Sequence, residues 1–493
     1  MKHRTGAWVL AAALALSAAL PAAAENVIQI NGEETPLTRE ETIQMVQEAT
    51  EAFYGDEALN AELAEEIREE VLYLGNEGEE PVELTIYTLT HNGQSMRFRQ
   101  EIRGEPDENG YPLYIALHGG GGAPAEDNDL EWDVMAEYYP SAIQNGIYVA
   151  VRSITDTWDL HFRPESYPMY DRLIQAMIRL CHADPNRVYL LGFSAGGDGV
   201  YQIAPRMADR FAAANMSSGH PNGVSLRNLA NLPFSIQVGL RDYYTEDALR
   251  SVRGAEFDAV LNGYHDLHDY GYEHQVLVRV PAGHNYNDIT PGAMAEVVAD
   301  PAAFASPEIV EPMLRTLQDA YAEACGTDSV MEMSYAPVGE NPVFDETVRE
   351  ITTEEFHLET WEVPGSAVEY VSRFTRNPIP PIVEWDLGTR TPLREMQSFY
   401  WLRADPSVTE GTIFAEFLGD NRISVTPEGL NGDFSILVNP RMLDVSEPIH
   451  ISTPDGEFTV KVNPSAAVLD DALRETGDPS LAWVAEIPYS QLH

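Results

Sequence analysis

One serine stands in the sequence context that a catalytic nucleophile requires. Ser194 is the centre of GFSAG (192–196), a G-x-S-x-G pattern. The apolar run 188–191 precedes it and a helix-like stretch follows, so we predict a strand-to-helix turn there. Small neighbours allow a turn tight enough to expose the hydroxyl, and the helix start behind it favours developing negative charge. Ser194 is therefore a candidate nucleophile.

A glycine run upstream fits the same chemistry. HGGGG (118–122) follows the apolar, strand-like segment 114–117. Acyl transfer needs backbone N–H groups aimed at the oxygen of a tetrahedral intermediate, and glycine lets the backbone come close to it. We interpret the run as part of an oxyanion hole. A simple flexible turn is the alternative.

A serine nucleophile also needs a base, and the base needs an orienting carboxylate. Of 13 histidines, His284 lies just past the strand-like segment 275–280. Asp242 lies just past the segment 234–238. Because α/β sheets place their sites at the carboxyl ends of strands, Ser194, Asp242 and His284 are expected to meet. Asp247 and Asp288 remain alternatives for the acid.

Several other residues are candidates for supporting roles. Asp198, in the first turn of the helix after Ser194, is predicted to complement the helix dipole, with substrate contact as the alternative. The acidic run 127–133 lacks an EF-hand loop, so neither a metal nor a cofactor is predicted. Aromatic side chains near the predicted site either bind substrate or simply pack. These candidate substrate contacts are Trp158, His161, Tyr243 and Tyr286.

The composition excludes several classes of partner. The chain has 493 residues, with 79 acidic against 30 basic side chains and a net charge of −49. A surface this acidic repels phosphate backbones and anionic lipid, so neither nucleic acid nor a membrane surface is an expected partner. Two cysteines are too few for a disulfide scaffold or a cysteine-based zinc cluster.

The N-terminus has the pattern of an export signal. Basic residues at 2–4 precede an apolar run at 7–20 and the small-residue segment PAAA (21–24). The run is shorter than the ~20 residues that span a bilayer. We predict cleavage after Ala24 and a secreted or periplasmic protein.

The rest of the chain divides by pattern into an α/β protein with a β appendage. Alternating strand and helix signals predict a mostly parallel sheet with helices on both faces, and short strands with turn signals predict a small antiparallel domain. In the N-terminal extension, apolar residues at helical spacing continue through Ile67, Val71 and Leu74, which predicts two amphipathic helices. The predicted divisions are a signal peptide (1–24), an acidic helical extension (25–80), a catalytic domain (81–330), a linker (331–380) and a C-terminal β domain (381–493).

Five segments of the chain together carry a resemblance to a known family. The segments are LHGGGG (117–122), GFSAGGDG (192–199), SSGHPNG (217–223), GLRD (239–242) and PAGHNY (281–286). They resemble one branch of the α/β-hydrolase superfamily, that of secreted poly(hydroxybutyrate) depolymerases and feruloyl esterases, over about residues 83–325. The resemblance implies the α/β-hydrolase fold, with the serine of 192–196 as nucleophile, the histidine of 281–286 as base and the aspartate of 239–242 as its partner.

The resemblance also implies oxyanion N–H groups from Gly120, Gly121 and Ala195. In the family's topology the helices that carry Cys181 and Cys325 cover opposite faces of the sheet, so two free thiols are expected.

The sequence therefore predicts a serine esterase that acts through an acyl-enzyme. Its expected substrates are acetyl or feruloyl esters on neutral plant polysaccharide. A peptidase of the prolyl-oligopeptidase type, a polyester depolymerase, and an idle hydrolase-fold protein that binds carbohydrate remain alternatives. The β domain is expected to be accessory, because it contains no serine, histidine and carboxylate in motif context.

Overall fold

The structure, a computed structural model, describes residues 27–31, 37–74, 82–239, 242, 250–279, 284, 363–391, 394 and 396–492. From residue 82 onward its first part alternates strands and helices much as the sequence predicts. In chain order the elements of this part are β1 (Val27–Ile30), α1 (Arg39–Tyr54), α2 (Glu57–Glu65), β2 (Ile67–Leu74), β3 (Val82–His91), β4 (Gln94–Arg103), β5 (Tyr111–Leu117), α3 (Ala125–Tyr138), β6 (Gly146–Val151), α4 (Ser166–Cys181), β7 (Ala183–Phe193), α5 (Ala195–Arg206), β8 (Ala213–Ser217), β9 (Phe234–Gly239), α6 (Arg250–His268) and β10 (His274–Arg279).

Strands β2 to β10 form one nine-stranded sheet in the order β10-β9-β8-β7-β5-β6-β4-β3-β2. From β10 to β6 the neighbours run parallel, and from β6 to β2 they run antiparallel. Strands β6, β8 and β9 are buried along their whole length. Their apolar runs are typical of strands that are covered on both faces.

Alternate residues of β5 show how the sheet is covered. Leu113 and Ile115 belong to the apolar cluster that includes residues of α4 and α5. Tyr114 and Ala116 belong to a different cluster, which contains Trp132 of α3. Helices therefore cover both faces of a mostly parallel sheet, which confirms the predicted α/β-hydrolase fold.

The N-terminal extension contains strands that local periodicity does not predict. Helices α1 and α2 are present, but residues 67–74 form β2 instead of continuing the second helix. Strand β2 pairs with β3 in antiparallel register, with Ile67 opposite Leu89. Without β2, the backbone edge of β3 would be unpaired, and this tertiary pairing overrides the helical spacing.

The C-terminal part is a small, largely antiparallel β structure, as predicted. Its elements are α7 (Val363–Val371), β11 (Ile382–Asp386), β12 (Ser398–Phe399), β13 (Leu402–Ala404), β14 (Thr412–Gly419), β15 (Arg422–Glu428), β16 (Phe434–Val438), β17 (Ile449–Thr453), β18 (Gly456–Val462), α8 (Ala466–Thr476) and β19 (Ala485–Pro488). The strands form a four-stranded sheet, β12-β13-β16-β19, and a six-stranded sheet, β1-β18-β17-β15-β14-β11. The pairs β15–β17 and β1–β18 are parallel, so the N-terminal strand completes the six-stranded sheet.

The described end of the predicted linker is folded onto the hydrolase sheet. Residues 363–371 form α7, and the chain after α7 is tied to sheet residues. The Tyr114 hydroxyl lies 2.9 Å from Ser372 Oγ, and the Tyr189 hydroxyl donates to the Phe374 carbonyl at 2.9 Å. The part of 331–380 before α7 and the expected helix that carries Cys325 lie outside the described residues, and the predicted domain boundaries stay predictions.

Two further sequence expectations concern the cysteines and membrane-spanning helices. Cys181 is a free thiol whose Sγ lies 3.7 Å from Gln100 Nε2, whereas Cys325 lies outside the described residues. Among the described helices, none combines the length and the apolar character that a bilayer crossing requires.

Candidate active site

Ser194 occupies the turn between β7 and α5 that the sequence predicts. Its backbone has φ 58° and ψ −122°, a region that non-glycine residues rarely adopt. A Cβ atom on Gly196 would lie 2.0 Å from the Leu117 carbonyl oxygen, and one on Gly192 would lie 2.2 Å from the Gly196 carbonyl oxygen. The glycines of the motif are therefore required by close backbone approach. Such strain is typical of functional sites, where the surrounding structure maintains it.

The structure brings the predicted nucleophile, base and orienting carboxylate together. Ser194 Oγ lies 2.8 Å from His284 Nε2, and His284 Nδ1 lies 3.0 Å from Asp242 Oδ2. The Asp242 side chain is only 3% exposed, and its Oδ1 lies 3.4 Å from an Arg250 guanidinium nitrogen. With Nδ1–H donating to the carboxylate, Nε2 presents a lone pair to the serine hydroxyl. The alternative acids Asp247 and Asp288 lie outside the described residues.

The glycine run forms a loop beside the nucleophile. Gly120, Gly121 and Gly122 have φ values of 97°, 90° and 61°, which favour glycine. A Cβ atom on Gly121 would lie 3.5 Å from the Ala195 Cβ. The loop therefore lies against the start of α5, as an oxyanion hole requires.

The predicted oxyanion donors need one correction. The Gly121 N–H donates to Asn128 Oδ1 at 2.9 Å, so this group is already engaged within the protein. In the described part of the chain the N–H groups of Gly120 and Ala195 donate to no acceptor. Ala195 is the first residue of α5, where backbone donors lack helical partners. Gly120 and Ala195 remain candidates for the oxyanion hole, and Gly121 does not.

His118 opens the glycine run but is not available as an acid or base. It is fully buried, and burial lowers its pKa from 6.5 to about 3. The Ser153 N–H donates to its Nε2 at 3.2 Å, so Nδ1 carries the proton and donates to the Gly119 carbonyl at 2.6 Å. His118 therefore stays neutral and shapes the loop.

Of the two roles that the sequence leaves open for His161, substrate contact or packing, the structure supports packing. His161 has no exposed surface, and burial holds its pKa well below the usual range. Its Nε2–H donates to the His118 carbonyl at 2.9 Å, and its Nδ1 lies 3.3 Å from the Tyr170 hydroxyl. Both ring nitrogens of this buried imidazole therefore have partners within the protein, and neither is available to a substrate.

Trp158 is the one candidate substrate contact that the structure places on an open surface beside the loop. Its side chain is 61% exposed and packs edge-on against Phe162, with ring centroids 5.5 Å apart. A Cβ atom on Gly121 would lie 3.2 Å from the Trp158 carbonyl oxygen. Trp158 therefore borders the oxyanion loop. The other two candidates, Tyr243 and Tyr286, lie outside the described residues.

Asp198 serves the site in a way that the sequence does not reveal. Its carboxylate accepts the His220 N–H at 2.6 Å and the Asn222 side-chain amide at 3.0 Å. Burial raises the pKa of this carboxyl, while these two donors favour its charged form. Asp198 thus ties the loop 217–223 to the helix behind Ser194. In the same loop, the Ser218 hydroxyl donates to the His284 carbonyl at 3.2 Å.

The comparisons with known proteins give no family assignment. No protein-family model and no curated protein matches the chain. Among solved structures, a ferulic acid esterase aligns at 15% identity over 44% of this chain and 92% of that chain, with a TM-score of 0.29. An acetyl xylan esterase from Aspergillus awamori aligns at 14% identity over 40% and 93%, with a TM-score of 0.29. A thermostable esterase aligns at 16% identity over 43% and 63%, with a TM-score of 0.30. Likenesses this low carry no argument about substrate.

Proposed function

We propose that the chain is a serine hydrolase that cleaves carboxylic esters through an acyl-enzyme. The observation that carries the proposal is the hydrogen-bonded series from Ser194 Oγ through His284 to Asp242. A nucleophile, a base and an orienting carboxylate at these distances form the set that acyl transfer requires.

The proposed reaction has two halves. The Ser194 oxygen forms a bond to the ester carbonyl carbon as its proton passes to His284 Nε2, and the carbonyl electrons move to the oxyanion. Collapse of this intermediate breaks the bond to the alcohol, which leaves with the proton from Nε2. Water then attacks the acyl-enzyme with the same base, and the acid and free serine are released. Backbone N–H groups of Gly120 and Ala195 stabilise both oxyanions in this scheme.

Covalent labelling tests the proposal directly. A fluorophosphonate probe should label wild type on the peptide that contains Ser194, and S194A should remain unlabelled. S452A, which alters a serine on a C-terminal strand, should label as wild type does. Absence of labelling in wild type would contradict the proposal and favour the idle carbohydrate-binding alternative.

We further propose that the substrate is an acetyl or feruloyl ester on neutral plant polysaccharide, encountered after export. Trp158 supports an aryl or sugar contact, because an exposed aromatic ring beside the oxyanion loop offers a stacking surface. The net charge of −49 supports a neutral polymer over an acidic one, which it would repel at low salt. Ser194-dependent cleavage of a prolyl peptide or a polyhydroxyalkanoate, without release of acetate or ferulate from arabinoxylan, would favour the peptidase or depolymerase alternative.

Loss of the Trp158 ring should raise KM for esters of aromatic acids more than KM for esters of small acids. W158A should raise KM for methyl ferulate about fivefold, because an aromatic pair contributes about 1 kcal/mol beyond its buried area. KM for ethyl acetate should change less than about twofold, since neither its acyl nor its alcohol part has a ring to stack. The matched control is Y73A, which removes an aromatic side chain that is 68% exposed on β2. Equal KM changes for both esters would contradict the proposed stacking role.

A further inference from the structure

The side chain of Asn128 bridges the oxyanion loop and the end of β6. Asn128 lies in α3 and is fully buried. Its Oδ1 accepts the Gly121 N–H at 2.9 Å, and its Nδ2 donates to the Ala123 carbonyl at 3.2 Å and to Asp156 Oδ1 at 2.9 Å. Every polar atom of this amide therefore has a partner, and two of those partners belong to the loop or its immediate continuation.

The orientation of the amide follows from the chemistry of its neighbours. A carboxylate oxygen and a backbone carbonyl can only accept, so the group that faces them must be the NH₂ of Asn128. The carbonyl oxygen of the side chain then faces Gly121, which is the orientation that can hold a backbone N–H. Asp156 therefore determines which end of the amide reaches the loop.

Asp156 is itself held in place by a buried cation. The side chain of Arg152 is 5% exposed, and one of its guanidinium nitrogens binds Asp156 Oδ1. The guanidinium also contacts Asp129 Oδ1 at 2.7 Å and Ser153 Oγ at 2.9 Å. Arg152 follows directly on β6, so the orientation of Asn128 is anchored to the central sheet.

The oxyanion loop needs such an anchor. Three consecutive glycines have positive φ, and none has a side chain to pack, so the loop has no intrinsic preference for this conformation. A Cβ atom on Gly120 would lie 2.3 Å from Asn128 Oδ1, which shows how closely the amide fits under the loop. Without the amide, the loop would gain conformations in which Gly120 N–H no longer points at a fixed place.

We propose that Asn128, oriented by Asp156, is a positioning residue that holds the oxyanion loop in its stabilising conformation. The proposal rests on the proposed ester hydrolysis. Oxyanion stabilisation is exerted mainly in the transition state, so a misplaced donor lowers kcat with little effect on KM. Asn128 touches no substrate in this scheme and acts only through Gly121 and its neighbours.

Kinetics on nitrophenyl acetate test the role. N128A should lower kcat on the order of 100-fold, the size of effect that small misplacement of a catalytic group produces, with KM within about threefold of wild type. The matched control is N439A. Asn439 is 1% exposed and likewise bridges two backbone segments, accepting from Arg441 N–H and donating to the Ala482 carbonyl at 2.9 Å. N439A should lose thermal stability and retain wild-type kcat per folded molecule.

A second variant of the same size keeps the test informative if N128A fails to fold. In N128D one carboxylate oxygen can still accept the Gly121 N–H, but the other faces Asp156 Oδ1 and the Ala123 carbonyl, which can only accept. This repulsion should displace the loop and lower kcat about as much as N128A does, with KM again within about threefold of wild type. A purely structural role would lower the fraction of folded protein and leave kcat per folded molecule unchanged.

The outcomes separate the two proposals. Wild-type kcat in folded N128A or folded N128D would overturn the positioning role while S194A remains inactive. If S194A were as active as wild type, the proposed ester hydrolysis itself would be wrong. Loss of kcat at nearly constant KM in N128A and N128D, with normal kcat in N439A, is the result expected.

Discussion

His284→Ala should lower kcat for nitrophenyl acetate on the order of 10⁵-fold, because His284 is the base that lies within hydrogen-bond distance of Ser194 Oγ among the described residues. S194A should fall as far, and the double variant should be no worse than either single one, since the two residues act as a unit. Asp242→Asn should lose about 10⁴-fold, as an amide favours the wrong imidazole tautomer. Steady-state kinetics at matched concentrations of folded protein measures all four variants.

A histidine outside the site provides the control for this series. His265 lies on α6, and its Nδ1 is 2.8 Å from the Gly271 carbonyl oxygen. H265N should keep wild-type kcat. Near-normal turnover by H284A would show that the base assignment is wrong, even with the hydrogen bond to Ser194 in place.

The local sequence pattern is sufficient to predict the strands, turns and loops that carry the catalytic residues. Burial of a strand imposes the apolar run before Ser194, and close backbone approach imposes the glycines around it. The apolar segments before Asp242 and His284 likewise predict the strand ends at which these two residues lie. The structure places all three side chains in one hydrogen-bonded series. The oxyanion loop is also visible in sequence, because consecutive glycines mark a backbone that side chains would obstruct.

The supporting contacts are not visible, because they join residues that are distant along the chain. Strand β1 pairs in parallel with β18, with Val27 opposite Thr459. Local hydrophobic periodicity does not predict a pairing between segments so far apart in the sequence. Asn128 stands in a run of acidic residues that looks like a solvated helix start, and its bond to Gly121 depends on how α3 docks. Asp198 is recognisable as a helix-start carboxylate, but its two partners in 217–223 come from the next strand end.

The largest feature that sequence does not reveal is a buried charge cluster between the hydrolase part and the C-terminal part. Its side chains are at most 6% exposed, and three positive and three negative charges balance one another. Arg394 binds Asp171 at 3.1 Å and Asp209 at 2.9 Å. The interdomain charge cluster consists of Asp171, Asp209, Arg210, Arg376, Arg394 and Asp478.

Two arginines of the cluster converge on Asp478, as two also do on Asp171. Asp478 Oδ2 lies 2.5 Å from an Arg376 nitrogen and 3.5 Å from an Arg210 nitrogen. Burial alone would raise its pKa, but Arg376 and Arg210 outweigh burial and hold the pKa of this carboxyl below its ordinary value. Asp478 is therefore charged at neutral pH, and its removal would leave two buried guanidinium groups short of a counter-charge.

Neutralising Asp478 should accordingly destabilise the whole chain. D478N keeps the side-chain size, yet should lower the free energy of unfolding by about 3 kcal/mol, because a broken buried ion pair leaves an uncompensated charge in the interior. D470N is the matched control. Asp470 pairs with Arg474 on the surface, with both side chains more than half exposed, so its loss should cost under ~0.5 kcal/mol. Urea unfolding measures both.

The same cluster sets the expectation for a fragment that ends at residue 330. Such a fragment retains Asp171, Asp209 and Arg210 but loses every partner that the C-terminal part supplies. Two buried carboxylates would then face one guanidinium, and the sheet face under α7 would be uncovered. We expect the fragment not to unfold cooperatively. A D478N midpoint equal to that of D470N, or a folded and active fragment, would show that the hydrolase part is stable without these ion pairs.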